Sequence, residues 1–218
     1  VNEFKLPNKK FRRIWIGAND ENFKPIENIE KKDSLFRIIF FGTYVPLQGA
    51  EYIVRAAKIL ETHEDIIFTF IGKGQDKLKN VSLAQKLGLK NIEFMDMMRP
   101  EDLRTEIAKS DIVLGLFGNT PKTPLVIPNK VYEALAMKKP VITADTPSVR
   151  ELFDEKDMVL VGAADPEAIA KAVLMLKSNP ELMRQIAENG YQKFLKFASP
   201  RVLGGELREI ILNLLNEK

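Results

Sequence analysis

The stretch RIIFFG occupies residues 37–42, and the stretch IIFTFIG occupies residues 66–72. Both runs are rich in Ile and Phe, and neither shows the polar alternation of a strand with one face in water. Each run ends in a glycine and is followed by a segment whose apolar residues have helical spacing. Such runs are typical of parallel strands that helices cover on both faces. The two stretches therefore predict a doubly wound α/β sheet.

The same alternation of strand and helix continues along the chain. Apolar runs predict strands at 13–16, 36–41, 66–71, 91–95, 111–116, 140–143 and 158–161. Helical spacing predicts helices at 49–62, 76–87, 101–109, 129–138, 147–153, 166–177 and 181–196. A cap residue followed by proline, as in Asp165-Pro166 and Asn179-Pro180, marks two of the helix starts. We expect a Rossmann-like parallel sheet with helices on both faces.

The composition excludes several classes of function. The 33 Lys and Arg residues nearly balance 30 Asp and Glu, so the net charge of +3 gives no indication of a nucleic-acid partner. The absence of Cys excludes disulfides and thiolate sites, and His63 alone leaves little for histidine catalysis. No apolar run has the roughly 18 residues of a membrane span. No Asp-x-Asp motif occurs, so we expect no metal site.

A loop between two glycines follows the first apolar run. Gly42 ends the predicted strand, Thr43 and Gln48 lie in the loop, and Gly49 precedes the next helix. Ligands of open α/β sheets bind beyond the carboxyl ends of the strands, and helix N-termini attract phosphate. The loop therefore predicts part of a phosphate site. The alternative is that the two glycines only turn the chain.

The second run leads into Gly72, Lys73 and Gly74, which begin like a dinucleotide fingerprint. Lys77 occupies the position of the third glycine of that fingerprint. A Gly-x-Gly pair without its third member is weak evidence, and we do not infer a dehydrogenase from it.

A third segment places a proline and two charged residues at the start of a predicted helix. Pro128 fits the first turn of a helix, and the N–H groups of Asn129, Lys130 and Val131 are then expected to be free for an anion. The side chain of Lys130 is expected to add a mobile positive charge. Glu133, one turn further on, is placed to accept hydrogen bonds from ribose hydroxyls. The alternative is a solvated Lys–Glu pair on a surface helix.

Taken together in this order, the three segments resemble the C-terminal domain of family 4 GT-B glycosyltransferases over essentially the whole chain. The stretch IWIGAND at 14–20, with FKP at 23–25, is similar to the crossing between the two lobes of that family. The stretch KPVITAD at 139–145 is also typical of it. The resemblance implies a division into three parts: 1–19, the linker and tail of a missing N-terminal lobe; 20–198, a Rossmann-like donor-binding domain; and 199–218, an amphipathic C-terminal helix.

The face of this last helix carries apolar residues, and two interpretations of it stay open. The helix either packs on the chain's own sheet or reaches back to a missing lobe. The residues of the apolar face are Val202, Leu203, Leu207, Ile210, Ile211, Leu214 and Leu215.

The resemblance also implies an activity and its ligands. The whole protein would be a retaining, metal-independent glycosyltransferase of the hexosyltransferase type, whose nucleotide-sugar donor is its substrate and which needs no cofactor. The acceptor would be held by the N-terminal lobe, and we expect the chain alone to be inactive. The enzyme would be cytoplasmic, with any peripheral contact with a membrane made by the missing lobe.

Individual positions receive roles from the same resemblance. Glu133 would hold the ribose, the amides of Asn129, Lys130 and Val131 would hold the diphosphate, and Gly42 would lie close to it. The segment 94–98, which includes Met97, would frame the base, with Gly72 nearby.

Three positions depart from the family pattern. Thr43 and Gln48 are uncharged where the family commonly has Arg and Lys, and Leu125 stands in place of a second Glu. Lys130 is then the candidate for stabilising the leaving group, with Lys73 and Lys122 as the alternative sources of positive charge. Two other functions stay open on this basis: a non-catalytic nucleotide-sugar-binding domain, and a GT-B epimerase or phosphorylase.

Overall fold

The computed structural model describes residues 11–27, 29–30 and 33–216. Within these ranges a six-stranded sheet forms the centre of the molecule, and all of its neighbouring strands are parallel. The strands are β1 (Phe36–Thr43), β2 (Ile66–Lys73), β3 (Ile92–Met95), β4 (Ile112–Leu114), β5 (Val141–Ala144) and β6 (Val159–Val161). The predicted parallel sheet is confirmed.

The order of the strands places a crevice at the middle of the sheet. The spatial order is β3-β2-β1-β4-β5-β6. The chain therefore builds outward from β1 to β3 and then returns to the other side of β1 with β4. The helices that follow β1 and β4 lie on opposite faces of the sheet, because residues of α1 belong to one hydrophobic core and residues of α4 to the other. The crevice at such a switch point is where open α/β sheets bind ligands.

Helices cover both faces of the sheet, as predicted. Side chains of Asp165 and Asn179 accept the capping hydrogen bonds from the N–H groups of Ala168 and Leu182 at 2.9 and 3.0 Å. Two short 3₁₀ helices, Pro46–Gln48 and Thr123–Leu125, lie in the loops after β1 and β4. The α-helices are α1 (Ala50–Ile59), α2 (Lys77–Lys86), α3 (Pro100–Lys109), α4 (Asn129–Ala136), α5 (Pro147–Arg150), α6 (Pro166–Ser178), α7 (Pro180–Phe197) and α8 (Pro200–Asn216).

Alternate residues of β1 belong to two hydrophobic cores on opposite faces. Ile38 and Phe40 pack in the core beneath α1 and α6, whereas Ile39 and Phe41 pack in the core beneath α4 and α7. This two-sided burial is the reason that the strand lacks polar alternation. None of the helices that the structure describes is long and apolar enough to cross a membrane.

The predicted strand at 13–16 is wrong, because this segment has no strand partner and runs as an irregular connection. Arg13 instead pairs with Glu151 and lies over the ring of Trp15, and the Ile16 side chain is exposed. The next residue, Gly17, is held close to the end of α7. A Cβ added to Gly17 would lie 2.0 Å from the carbonyl oxygen of Ala198.

The interpretation that the C-terminal amphipathic helix packs on the chain's own sheet is also wrong. None of the residues of α8 is buried. Five apolar side chains of its second half are 37–61% exposed, whereas Ile210 is partly buried. The five are Leu207, Ile211, Leu212, Leu214 and Leu215.

Candidate functional site

The backbone ties the loops after β1 and β4 together at the crevice. The Phe117 N–H donates to the Gln48 carbonyl at 3.0 Å, and the Gly118 N–H donates to the Leu47 carbonyl at 3.1 Å. Gly49 turns the chain into α1 with a left-handed φ of 64°. A Cβ on Gly49 would lie 2.4 Å from the Gly118 nitrogen, so the two loops pack backbone against backbone.

Part of the loop after β1 therefore serves packing rather than a ligand. The Gly49 N–H already donates to the Pro46 carbonyl at 3.1 Å, which supports the alternative that this glycine turns the chain. Thr43 is exposed at the end of β1, whereas the Oε1 of Gln48 is buried without a hydrogen-bond partner. Gly118 is a residue of this crevice that was not predicted, although a glycine soon after a buried strand was the available signal.

Gly72 lies beneath the crevice instead of on its surface. It is buried and pairs with Gly42 in the register of β1 and β2. A Cβ on Gly72 would lie 1.9 Å from the Gly42 carbonyl oxygen. The residue lets the two strand ends approach, and its place near a base stays a prediction. Met97 follows β3 and is 50% exposed, so its side chain remains accessible.

The first turn of α4 presents two unpaired amides beside the crevice. Asn129 is exposed, and within the described ranges no acceptor is recorded for the N–H groups of Asn129 and Lys130. The prediction is wrong for Val131, because its N–H donates to the Pro128 carbonyl at 3.0 Å. The reason is that this turn closes on the carbonyl of the residue that precedes the helix.

The side chain of Lys130 turns inward, toward the end of β1. It is 5% exposed, and its Nζ lies 3.6 Å from the centre of the Phe40 ring. A Cβ on Gly42 would lie 3.5 Å from the Cε of Lys130 and 3.7 Å from its Nζ. The amine therefore lies beside the backbone at the carboxyl end of β1. The predictions of a mobile cation and of a solvated pair with Glu133 are both wrong.

Burial governs the charge of this amine. Desolvation lowers the pKa of Lys130 well below its usual value, and the nearby Glu133 carboxylate opposes this effect to a smaller extent. The Nζ is buried and has no hydrogen-bond partner within residues 11–27, 29–30 and 33–216. Desolvation likewise raises the pKa of Glu133, with Lys130 acting in the opposite direction. The structure thus places an amine and a carboxyl group, both shifted toward their neutral forms, on one turn of α4.

The other candidate cations lie in more exposed positions. Lys73 ends β2 opposite Thr43 in the register, and Lys122 precedes the second 3₁₀ helix. Leu125, at the position of the family's second Glu, is 72% exposed. In the part of the chain that the structure describes, no three His, Asp or Glu side chains group closely enough to hold a metal ion.

Residues 20–193, most of the chain, match the family model of the glycosyl transferases group 1. This chain belongs to that family. The group 1 domain is 24% identical over 200 residues to the putative glycosyltransferase EpsD of Bacillus subtilis. That match covers 86% of the chain and 51% of EpsD, so the chain spans about half the length of this relative.

Solved structures of glycosyltransferases share the fold of this group 1 domain. The C-terminal domain of LpcC, a group 1 protein of Francisella tularensis, has a TM-score of 0.66 and 24% identity over 83% of this chain and 97% of its own. HepE of Anabaena, solved with UDP and glucose, has a TM-score of 0.81 and 14% identity over 96% of this chain and 59% of its own. The fold is therefore that of a Rossmann-like lobe of GT-B enzymes.

Proposed function

We propose that this group 1 domain is the donor-binding half of a retaining, metal-independent glycosyltransferase. Its donor is a nucleoside-diphosphate sugar, from which the whole enzyme transfers a hexosyl group. One observation carries the proposal. The first turn of α4 offers the unpaired amides of Asn129 and Lys130 beside the switch point of the sheet.

The proposed pose follows the polarity of α4. A diphosphate at the helix start meets two N–H groups and the positive end of the helix dipole. Glu133 lies one turn further on, where a carboxylate can accept hydrogen bonds from the ribose hydroxyls. Met97 borders the side on which the base would lie. The UDP and glucose in HepE, which shares the fold, support a ligand of this class.

The chemistry required of the site is stabilisation of the leaving group. Negative charge grows on the nucleoside diphosphate as the bond to the sugar breaks, and donors fixed in advance at that position lower the barrier. The amides of Asn129 and Lys130 supply such donors. The side chain of Lys130 is the proposed cation, since Thr43 and Gln48 carry no charge.

The acceptor is proposed to bind to an N-terminal lobe outside this chain. The chain spans 51% of EpsD and 59% of HepE, and four residues of the apolar face of α8, Leu207, Ile211, Leu214 and Leu215, are exposed. We expect the 218-residue chain to bind nucleotide and to transfer no sugar alone. Incubation with sugar nucleotides and candidate acceptors, followed by mass spectrometry, checks this expectation. Glycosylated product formed by the chain itself would contradict it.

Replacing Glu133 with alanine is expected to weaken nucleotide binding by about 1–3 kcal/mol, because the ribose hydroxyls lose the acceptor that its carboxyl group provides. Calorimetry with UDP, GDP and ADP measures the change. Glu64→Ala is the matched control, since this exposed glutamate precedes β2 at the amino ends of the strands, whereas the crevice lies at their carboxyl ends. Equal affinities of the two variants would remove the proposed role of Glu133.

A binding domain without catalysis is the second candidate function. The uncharged residues Thr43 and Gln48 favour it, because the family commonly places the cations that serve the diphosphate at these positions. Transfer by the full-length protein decides between the two candidates. Binding of nucleotide without transfer, with the N-terminal lobe present, would favour the binding domain.

A further inference from the structure

Among the residues that the structure describes, none accepts a hydrogen bond from the buried Nζ of Lys130 and so balances an ammonium charge there. The Nζ lies 3.6 Å from the centre of the Phe40 ring. An ammonium group has three donors and needs acceptors when water is removed, whereas a neutral amine needs far less compensation. The attraction of the ring face for a cation offsets only part of this cost.

The groups around the amine offset little of this cost. The charge of Glu133, on the same helix, raises the pKa of Lys130, but to a smaller extent than burial lowers it, and burial also favours the neutral form of Glu133. From β1, Phe40 and Gly42 contribute a ring and a backbone, which do not ionise. Tyr44 follows β1, and burial raises the pKa of its hydroxyl above the usual value, so it adds no negative charge.

A diphosphate at the first turn of α4 would change these surroundings. The amine lies beside Gly42: a Cβ added to this glycine would be in van der Waals contact with the Nζ, at 3.7 Å. The backbone N–H of Lys130 is also one of the two unpaired amides of the turn. The proposed ligand and the Lys130 side chain therefore share one end of the helix. Negative charge brought to this point favours the ammonium form.

On the basis of the proposed function, we infer that binding of a nucleoside diphosphate is coupled to the uptake of one proton by Lys130. The proton comes from the solvent, adds to the lone pair of the Nζ and returns to the solvent when the nucleotide leaves. The site thus becomes cationic when its anion is present and stays neutral when it is empty. Because the complex holds more protons than the free protein, nucleotide affinity falls as the pH rises through the window between the two pKa values of Lys130.

Calorimetry in buffers of different ionisation enthalpy counts this proton. UDP, GDP and ADP are titrated into the 218-residue chain at pH 8 in HEPES and in Tris, where the terminal phosphates, with pKa values near 6, are already ionised. We expect uptake of up to about one proton per nucleotide and, at the steepest point, an affinity that falls about tenfold per pH unit. Lys130→Met is expected to bind more weakly and to take up none.

The outcomes separate the inference from the proposed function. Nucleotide binding without proton uptake between pH 7 and 9, or equal uptake by Lys130→Met, overturns the inference and leaves the function standing. Failure of all three nucleotides to bind overturns both.

A second measurement covers the case in which Lys130→Met does not bind. Lysine labelled with ¹³C at Cε gives one signal that is missing from the variant and is thereby assigned to Lys130. In the wild-type protein at pH 8 this signal is expected to change from the amine to the ammonium position when nucleotide is added. An unchanged protonation state would refute the coupling.

Discussion

Gly72→Ala is expected to lower the free energy of unfolding by about 4 kcal/mol, a large part of the stability of a single domain. The added Cβ would lie 1.9 Å from the carbonyl oxygen of Gly42, which belongs to the neighbouring strand. The φ of Gly72 is +141°, a conformation that costs an L-residue roughly 1–3 kcal/mol. Backbone shifts at the end of β1 would add the rest.

The size of the steric contribution can be isolated with Gly88→Ala. Gly88 also has a positive φ, of 68°, but a Cβ there would meet nothing within 4 Å. This control is expected to lose only about 1–2 kcal/mol, the cost of the left-handed conformation. Guanidinium denaturation of both variants gives the comparison. If Gly72→Ala loses no more stability than Gly88→Ala, the close approach of the two strand ends is not needed for the fold.

Lys130→Met is expected to stabilise the free protein by about 2 kcal/mol at pH 7, because it removes a buried amine that lacks a hydrogen-bond partner. The same change is expected to weaken nucleotide binding by about 2 kcal/mol, the contribution of a charged hydrogen bond to phosphate. Gain of stability and loss of affinity are expected together if the residue serves the proposed ligand at the expense of the fold.

Lys130→Met is also expected to change how the free energy of unfolding depends on pH. Burial lowers the pKa of Lys130, so the unfolded chain holds more protons than the folded protein between that lowered pKa and the ordinary value near 10.4. The free energy of unfolding of the wild type therefore rises with pH across this window. Lys130→Met is expected to lack this part of the rise.

Guanidinium denaturation between pH 7 and 9 measures both effects. Lys171→Met, on the exposed side of α6, is the matched control and is expected to change neither the stability nor its pH dependence appreciably. If Lys130→Met is less stable than the wild type, or if its stability depends on pH in the same way as that of the wild type, Lys130 contributes to the fold as a charged group.

Much of the fold could be predicted from the sequence because burial leaves a local pattern. The apolar runs of β1 and β2 and the caps at Asp165 and Asn179 gave elements within a few residues of those observed. The segment 13–16 has the same local pattern but no neighbouring strand to pair with. Strand pairing is a tertiary property, and three apolar residues do not encode it.

The site was harder to predict, because the direction of a side chain depends on what packs beneath it. The spacing of Lys130 and Glu133 placed both residues on α4 correctly. Helical spacing could not show that Lys130 passes under Gly42 to the ring of Phe40, since that contact joins distant parts of the chain. Likewise, the N–H of Val131 is occupied because the first turn closes on Pro128, and a sequence motif does not specify that detail.

The location of the nucleotide site can be determined by an NMR titration of the ¹⁵N-labelled chain with the tightest binder among UDP, GDP and ADP. We expect the amide signals of Asn129 and Lys130 to shift most, with that of Gly42 among the next, because the first turn of α4 is the proposed diphosphate site. Shifts confined to signals remote from the crevice, such as those around Arg184 in α7, would contradict the proposed site.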